Sequence, residues 1–257
     1  MVAFRILNTL NDKARSFWPV LLALCIFVVV WEGAIFVFKI PDFVLPHLWQ
    51  IASRMVTSRD QLSDALAATL TESLGGFASG AVLGVVLAVV MLLIKPLERS
   101  LLPLVVAVNS VPIVAYVPVT LIWFGIGPAS KVALVALSSG FVVLINALHG
   151  LKQAPPGAID LMRSFGASPW SILRRLQLPA ALPSIVNGLR VAIPRSMIVA
   201  IVSEMLGAYR GIGRIIFEST QQVDNLGVWV AVLSASIASV VLYTLLVWID
   251  RKLVWWH

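Results

Sequence analysis

The sequence predicts an all-α integral membrane protein with six transmembrane helices, and three observations point to this fold class. Hydrophobic residues make up 60% of the 257 residues and charged residues only 12%, about half the charged fraction of an ordinary soluble domain. The mean hydropathy is +0.96. Six apolar stretches are each near the length that crosses the hydrocarbon core. Because a spanning segment must satisfy its own backbone polar groups, these stretches are expected to be helices.

The predicted spans are, in order, 17–38, 74–94, 101–124, 132–148, 187–206 and 228–248. The first span follows three basic residues, as a secretory signal does. It is too long for a signal's apolar region and lacks a small-residue cleavage site, so we interpret it as a retained anchor. Two longer hydrophilic segments, 39–73 and 149–186, connect the spans. We find no internal repeat, low-complexity tract or linker, and therefore predict a single transmembrane domain over 1–257.

The basic residues predict the orientation of the chain. Eleven lie on one side of the spans, namely Arg5, Lys13, Arg15, Lys95, Arg99, Lys152, Arg163, Arg174, Arg175, Arg251 and Lys252. Six lie on the other, namely Lys39, Arg54, Arg59, Lys131, Arg210 and Arg214. Loops rich in Lys and Arg stay in the cytoplasm, so both termini are predicted to be cytoplasmic. The net charge of +7 is accordingly interpreted as topology and not as nucleic-acid binding. Tryptophans near span ends are typical of interface anchors: Trp18, Trp49, Trp123, Trp248, Trp255 and Trp256.

Small and polar side chains recur on four spans at helical spacing. The second span carries a small residue at every fourth position, which predicts close helix contact within the chain or between subunits. These residues are Gly76, Gly80, Gly84 and Ala88. Polar stripes either line a solute path or bond neighbouring helices, and the sequence leaves both open. The stripes are Asn109, Tyr116 and Thr120 on the third span, Ser139 and Asn146 on the fourth, and Ser196 and Ser203 on the fifth. Pro112, Pro118 and Pro194 are expected to kink their helices.

Two ionisable residues lie deep in the fifth predicted span. Arg195 and Glu204 are nine residues apart, which puts them on opposite helix faces and about 13 Å apart along the axis. They cannot pair, so each needs another partner or a hydrated cavity. Glu204 has the alternative of an exposed position near the outer interface. For Arg195 the alternatives are a carboxylate such as Glu32 and a cavity in which the guanidinium helps an anionic solute to cross.

The segment 154–179 predicts two short helices across the cytoplasmic face, joined by a tight turn. Gly166 is expected to end the first helix in the left-handed conformation, and Ser168 followed by Pro169 is expected to begin the second. The segment resembles the signature of the membrane subunits of binding-protein-dependent ABC importers: Glu-Ala-Ala, three residues, Gly, nine residues and Ile-x-Leu-Pro. Aligned on Gly166, the chain has Asp160-Leu161-Met162 and Leu176-Gln177-Leu178-Pro179 at these places. The chain differs from the signature in three places: it has Asp where the signature has Glu, Leu-Met where it has Ala-Ala, and Leu where it has Ile.

The resemblance extends to 117–131, 178–190, 203–205 and 211–213, which are similar to the nitrate, sulfonate and taurine branch of these permeases. It implies the type I ABC importer permease fold in a bacterial inner membrane, with the third to fifth spans lining the path. It also implies a coupling contact with an ATPase through Asp160, Leu161, Met162, Arg163, Gly166, Leu176, Leu178 and Pro179. Gly211 and Gly213 are implied as contacts with an extracytoplasmic solute-binding protein. The implied partners are a second permease copy, two ABC ATPase subunits, that binding protein and membrane lipid.

The sequence has no site for the chemistry that powers transport. A phosphate-binding P-loop needs Gly-Lys followed by Ser or Thr, and no lysine here follows a glycine. ATP and Mg²⁺ are therefore expected on the partner ATPase, with no cofactor, metal site or catalytic residue on this chain. Its single cysteine, Cys25, forms neither an intrachain disulfide nor a cysteine metal cluster.

Two other classes of function compete with the importer interpretation. A proton-coupled secondary transporter would need several intramembrane carboxylates or histidines and a repeat between its halves. An intramembrane enzyme would need a His or Asp cluster, whereas His47, His149 and His257 lie in loops or at the terminus. The solute stays open between a small polar anion of the sulfonate, taurine or nitrate type and a heterocyclic vitamin precursor.

Overall fold

The computed structural model describes the backbone of residues 2–253 and the side chains of residues 18, 19 and 22–250. The first helices are α1 (Val2–Phe38), α2 (Leu48–Thr57), α3 (Arg59–Leu93), α4 (Lys95–Ser110) and α5 (Val117–Phe124). They are followed by α6 (Pro128–Lys152), α7 (Pro156–Ser164), α8 (Pro169–Ile172), α9 (Leu178–Gly207), α10 (Ile212–Gln221) and α11 (Asn225–Leu253). Outside the described side chains lie Arg5, Lys13, Arg15, Phe17, Arg251, Lys252, Trp255, Trp256 and His257.

The helices α3, α6 and α9 form the centre of the bundle. The helices α3 and α6 run parallel, because residues later in α3 contact residues later in α6: Gly76 lies against Val135 and Gly84 against Gly140. The helix α9 runs antiparallel to α6, with Gly188 against Asn146 near its start and Gly207 near the start of α6. Glycines let the backbones of packed membrane helices approach closely. The prediction of close helix contact on the second span is therefore confirmed, and the contact lies within the chain.

Apolar side chains fill the two ends of the bundle. At one end, which we call the α7 end, Met91, Leu151 and Leu173 are buried in one cluster. At the other, the α10 end, Ile51 and Ile212 are buried in a second cluster. Among the described residues, four helical segments are long and apolar enough to cross a membrane, namely 59–93, 128–152, 169–207 and 225–250, and the bent pair 95–110 and 113–124 makes a fifth if it is counted as one span. The described apolar part of α1, Leu22–Phe38, is shorter.

The predicted hydrophilic segment 39–73 is largely helical. It contains α2 and the first turns of α3, so the helix of the second predicted span begins at Arg59 and not at Leu74. Polar residues of the first turns, such as Thr69 and Glu72, are buried against other helices. The helix has 35 residues, more than the roughly 20 that cross the hydrocarbon core, so it extends beyond the predicted span at its first end.

The third predicted span, 101–124, is not one helix. The helix α4 ends at Ser110, and the helical pair 95–110 and 113–124 is bent by 96°. Proline has no N–H to continue a helix, and its ring pushes the preceding residue into extended conformation. Val111 before Pro112 accordingly has φ −79° and ψ 132°. The expected proline kink is therefore a break, followed by a single 3₁₀ turn over 113–116.

The second helix of the segment 154–179 does not lie separately across the bundle end. The helix α8 continues through a π-helical segment, Leu173–Gln177, into α9, and residues 169–207 form one apolar helical unit. Pro179 cannot donate a backbone hydrogen bond to the preceding turn, and a widened π turn is one way for a helix to accommodate such a loss. The helical unit that contains the fifth predicted span is therefore much longer than 187–206.

Candidate functional site

The exposed surface at the α7 end is formed first by α7 and by the turn at Gly166 that ends this helix. Gly166 N–H donates to Arg163 O at 2.9 Å and Ala167 N–H donates to Met162 O at 3.0 Å, the two bonds of a Schellman motif. Gly166 has φ +78°, a conformation that is easy only for a residue without Cβ. The predicted left-handed end of this helix is confirmed.

This surface presents charge and apolar area together. Asp160 Oδ1 lies 3.3 Å from Arg163 Nη1, and both side chains are exposed. Leu161, Phe165 and Trp170 are also exposed. Large apolar side chains beside a polar rim are typical of a protein–protein contact.

The second part of the signature, Leu176 to Pro179, connects the exposed surface of α7 and α8 to the helix bundle. Leu178 packs against the buried cluster that contains Leu173. Leu176 is half-buried and Pro179 is exposed. Ser168 begins α8 as expected, because its Oγ accepts the backbone N–H three residues later at 3.3 Å. The helix α8 therefore belongs to the same helical unit as α9.

Arg195 lies near the middle of α9, about 18 Å before its end. Its Nε donates to Ser138 Oγ at 2.9 Å, and its Nη2 donates to Asn109 Oδ1 at 3.4 Å. No described carboxylate lies within 4.0 Å of the guanidinium. The charge is therefore held by a hydroxyl and an amide, not by an ion pair.

Glu32 is not the partner of Arg195. Its Oε2 lies 2.6 Å from His47 Nδ1, and its Oε1 accepts Leu48 N–H at 2.9 Å. These contacts join α1 to the start of α2, at the α10 end.

Arg195 lines a cavity of about 560 Å³ between α3, α4, α6 and α9. The break before Pro112 brings Asn109, at the end of α4, and Tyr116, in the 3₁₀ turn, to this same cavity. Tyr116 OH donates to Val108 O at 2.9 Å. Three of the nine predicted pathway residues therefore meet at one place, although not on one straight helix.

The other stripe residues lie away from this cavity. Asn146 Nδ2 donates to a carbonyl of its own helix at 2.8 Å and packs against Gly188. Four buried hydroxyls also donate to carbonyls of their own helices: Thr120, Ser139, Ser196 and Ser203. These hydrogen bonds lie within single helices, and only Ser139 Oγ also donates to a neighbouring helix, to Gly76 O at 3.4 Å.

A buried polar junction lies at the α10 end, where 207–213 turns back from α9. Glu204 is 0% exposed, and its Oε2 accepts Gly213 N–H at 2.7 Å. Thr69 Oγ1, on α3, accepts Ile212 N–H at 2.9 Å. The alternative that Glu204 is an exposed interface residue is therefore wrong, and its side chain helps to join three helices.

Lys131 joins the same junction from α6. The sequence counted it among the basic residues outside, but it is only 1% exposed. Its Nζ donates to three backbone carbonyls, those of Ile126, Gly127 and Gly207. Glu72, on α3, is 6% exposed and lies near both Glu204 and Lys131. Two carboxyl groups and one amino group are thus enclosed together at this end of the bundle.

The two glycines after α9 fit the backbone around Glu204. Gly211 has φ +116°, and a Cβ there would lie 2.5 Å from Glu204 Oε1. A Cβ on Gly213 would lie 2.6 Å from Glu204 Cβ. Both glycines are buried, although Gly211 lines the open cavity at this end of the bundle. The neighbouring Tyr209 and Arg210 are exposed instead.

Residues 80–255 match the family described as the binding-protein-dependent transport system inner membrane component. The chain belongs to this family. It is 33% identical over 258 residues to the riboflavin transport system permease protein RibX of Chloroflexus aurantiacus, covering 98% of this chain and 96% of that protein. It is 31% identical over 219 residues to the taurine transport system permease protein TauC of Escherichia coli, covering 84% and 79%. The prediction of an ABC importer permease, a multi-pass protein of the inner membrane, is confirmed.

The fold of this permease also resembles a solved structure. A chain of an amino acid ABC transporter matches with a TM-score of 0.62 and 20% sequence identity, over 77% of this chain and 97% of that chain. At this level of identity the likeness concerns the fold alone. Together with the family match, it supports the all-helical importer permease fold.

Sequence reasoning missed four residues of these sites: Thr69, Glu72, Lys131 and Ser138. A signal for Glu72 was present, because it stands four residues before Gly76 and so continues the stripe of small residues by one turn. The predicted boundary at 74 hid that continuation. For Ser138 we find no comparable signal in the sequence.

Proposed function

We propose that the chain is one of two permease copies in an ATP-driven importer, with two ABC ATPase subunits and an extracytoplasmic solute-binding protein. It crosses the membrane six times with both termini in the cytoplasm, as a single domain. The α7 end then faces the cytoplasm. One observation carries the assignment of a docking site for the ATPase: α7 and α8 present an exposed ion pair and three exposed apolar side chains at the bundle end.

The geometry of α7 to α9 supports a coupling mechanism. ATP binding on the partner draws the two α7 surfaces together. Because α8 is continuous with α9, this movement reaches the helix that carries Arg195 as a rigid-body displacement. Such displacements of helices about an interface are an established way to switch access to a central path.

The α10 end carries a surface that fits the binding protein. A cavity of about 850 Å³ opens there beside the polar junction. Charged side chains of both signs line it, including Asp64, Arg210, Arg214 and Glu218. We assign the contact to these side chains and to Tyr209, which line the same cavity as Gly211.

The solute that we propose is a small polar anion of the sulfonate or taurine type. Arg195, a cation without a carboxylate partner among the described residues, supports this class. A second candidate is a heterocyclic vitamin, which is favoured by the relative RibX because that match covers 98% of the chain. The ligand of the cognate binding protein, measured by calorimetry against taurine and riboflavin, discriminates between the two.

Gly166→Val is expected to uncouple the permease from its ATPase. A β-branched residue at φ +78° costs about 1–3 kcal/mol locally, enough to displace α7. The control is Gly166→Asn, because asparagine tolerates this conformation. We expect the valine variant to lose the ATPase stimulation by loaded binding protein in proteoliposomes, and the asparagine variant to keep most of it. Equal stimulation in both variants contradicts the proposed coupling role.

Asp160→Lys tests the charge of the same surface. The substitution leaves the helix intact but places a second positive charge three residues before Arg163. We expect normal insertion with reduced copurification of the ATPase subunit. An unchanged yield of the complex together with unchanged transport contradicts the assignment of this surface.

The purified chain alone is expected neither to bind nor to hydrolyse ATP. The reason is the missing Gly-Lys pair of a P-loop. Equilibrium binding of a fluorescent ATP analogue and a phosphate-release assay check this, with the isolated ATPase subunit as positive control. Turnover by the isolated permease is the result that contradicts the assignment.

A further inference from the structure

The Arg195 cavity has the composition of a site for an organic anion. Its guanidinium has five N–H donors, of which two have protein partners, Ser138 and Asn109. An arginine in mid-span is costly unless something compensates for its charge. Among the described residues no carboxylate does so. The remaining donors are therefore available to a ligand.

The walls of the cavity are mostly aliphatic. Apart from Arg195, its polar lining consists of Asn109, Tyr116 and Ser138. The rest is formed by residues such as Leu83, Leu104 and Leu144. Its volume of about 560 Å³ is that of a site for a compact organic molecule. A small inorganic anion would leave most of this wall in contact with water.

We propose that this cavity binds an amphiphilic organic anion, with its anionic head on Arg195 and its apolar body along the aliphatic wall. The inference rests on the proposed import function and names the class of solute that crosses. Ser138 and Asn109 act as positioning residues, because they hold the guanidinium and leave its other N–H groups free. A fork of parallel N–H donors matches a sulfonate or carboxylate head group.

Charge and shape together separate this class from the alternatives. A neutral heterocycle would satisfy hydrogen bonds of Arg195 but would leave its charge uncompensated in a region of low dielectric. Taurine has the right head group but only a two-carbon body that carries an ammonium group. An alkanesulfonate of about six carbons satisfies both the guanidinium and the aliphatic wall.

The test is direct binding of 1-hexanesulfonate to the purified full-length chain in lipid nanodiscs, measured by isothermal titration calorimetry. Empty nanodiscs give the background from partition into lipid. We expect tighter binding of hexanesulfonate than of taurine, riboflavin or 1-hexanol. Arg195→Gln should weaken it by more than about tenfold, because a hydrogen-bonded charge contact is lost. Arg195→Lys, which keeps the charge, should retain part of the affinity.

Two further variants keep the test decisive. Arg99→Gln removes an exposed arginine at the start of α4, outside the cavity, and should leave binding unchanged. Leu104→Trp adds volume at a lining residue that is 60% exposed and should abolish binding without removing a charge. If Arg195→Gln does not fold, Leu104→Trp still decides the question.

The result that overturns the inference is wild-type binding no stronger than in empty nanodiscs, or equal binding by wild type, Arg195→Gln and Leu104→Trp. Tighter binding of riboflavin than of hexanesulfonate also overturns it. Because the assay needs no ATPase and no binding protein, its failure leaves the proposed import function intact. That function fails on its own if loaded binding protein does not stimulate ATP hydrolysis in the assembled complex.

Discussion

Gly80→Val is expected to prevent the bundle from folding, with a loss of at least about 3 kcal/mol in the free energy of unfolding. A Cβ on Gly80 would lie 2.9 Å from Ala136 Cα and 2.7 Å from Ser139 Oγ. The first neighbour is helix backbone, which cannot rotate away as a side chain can. The helices α3 and α6 must therefore move apart along their packed faces, and the van der Waals contact between them is lost.

The measurement is the yield of monodisperse protein in mild detergent and its melting temperature. Gly33→Val is the matched control, because Gly33 lies in an apolar helix and a Cβ there has no neighbour within 4 Å. We expect the control to behave like wild type. If the small face of α3 served only to join two subunits, Gly80→Val would give a folded monomer with an unchanged melting temperature, and this outcome would contradict the packing of α3 against α6 within the chain.

Glu204→Ala is expected to have the second largest effect, a destabilisation of about 2–4 kcal/mol. The substitution leaves the buried N–H of Gly213 without its acceptor, which lies at 2.7 Å in the wild type. It also removes a carboxyl group from the enclosed neighbourhood of Lys131. The bonds of Ile212 N–H to Thr69 and of Lys131 to Gly207 O remain, so we expect the junction to weaken and not to come apart.

A graded series separates the hydrogen bond from the charge. Glu204→Gln keeps an acceptor for Gly213 N–H, so we expect a smaller loss of thermal stability than with alanine. Glu218→Ala is the control, because Glu218 forms a half-exposed ion pair with Arg214, and such pairs contribute less than about 1 kcal/mol. Equal melting temperatures for Glu204→Ala and Glu218→Ala would contradict the role of the junction.

The segment 154–179 was the part of the site most accessible from sequence. Gly166, Ser168 and Pro169 each impose a conformation through local sterics or a local hydrogen bond, and the observed Schellman motif and N-cap agree with them. The exception is the end of the second short helix. Whether a helix stops or continues past Pro179 depends on the packing that supports it, and here Leu173 is buried in the core on one side of that proline.

The sequence by itself determined the membrane class, the apolar helices, the small-residue face of α3 and the family signature, because each depends on composition or on spacing within one segment. Only the tertiary structure decided the 96° bend at Pro112, the partners of Arg195 and the burial of Glu72, Lys131 and Glu204. The physical reason is that proline removes a backbone hydrogen bond of the helix but does not set the angle between the helical segments before and after it. A buried charge, likewise, is stabilised by groups that come from other helices and are distant along the chain.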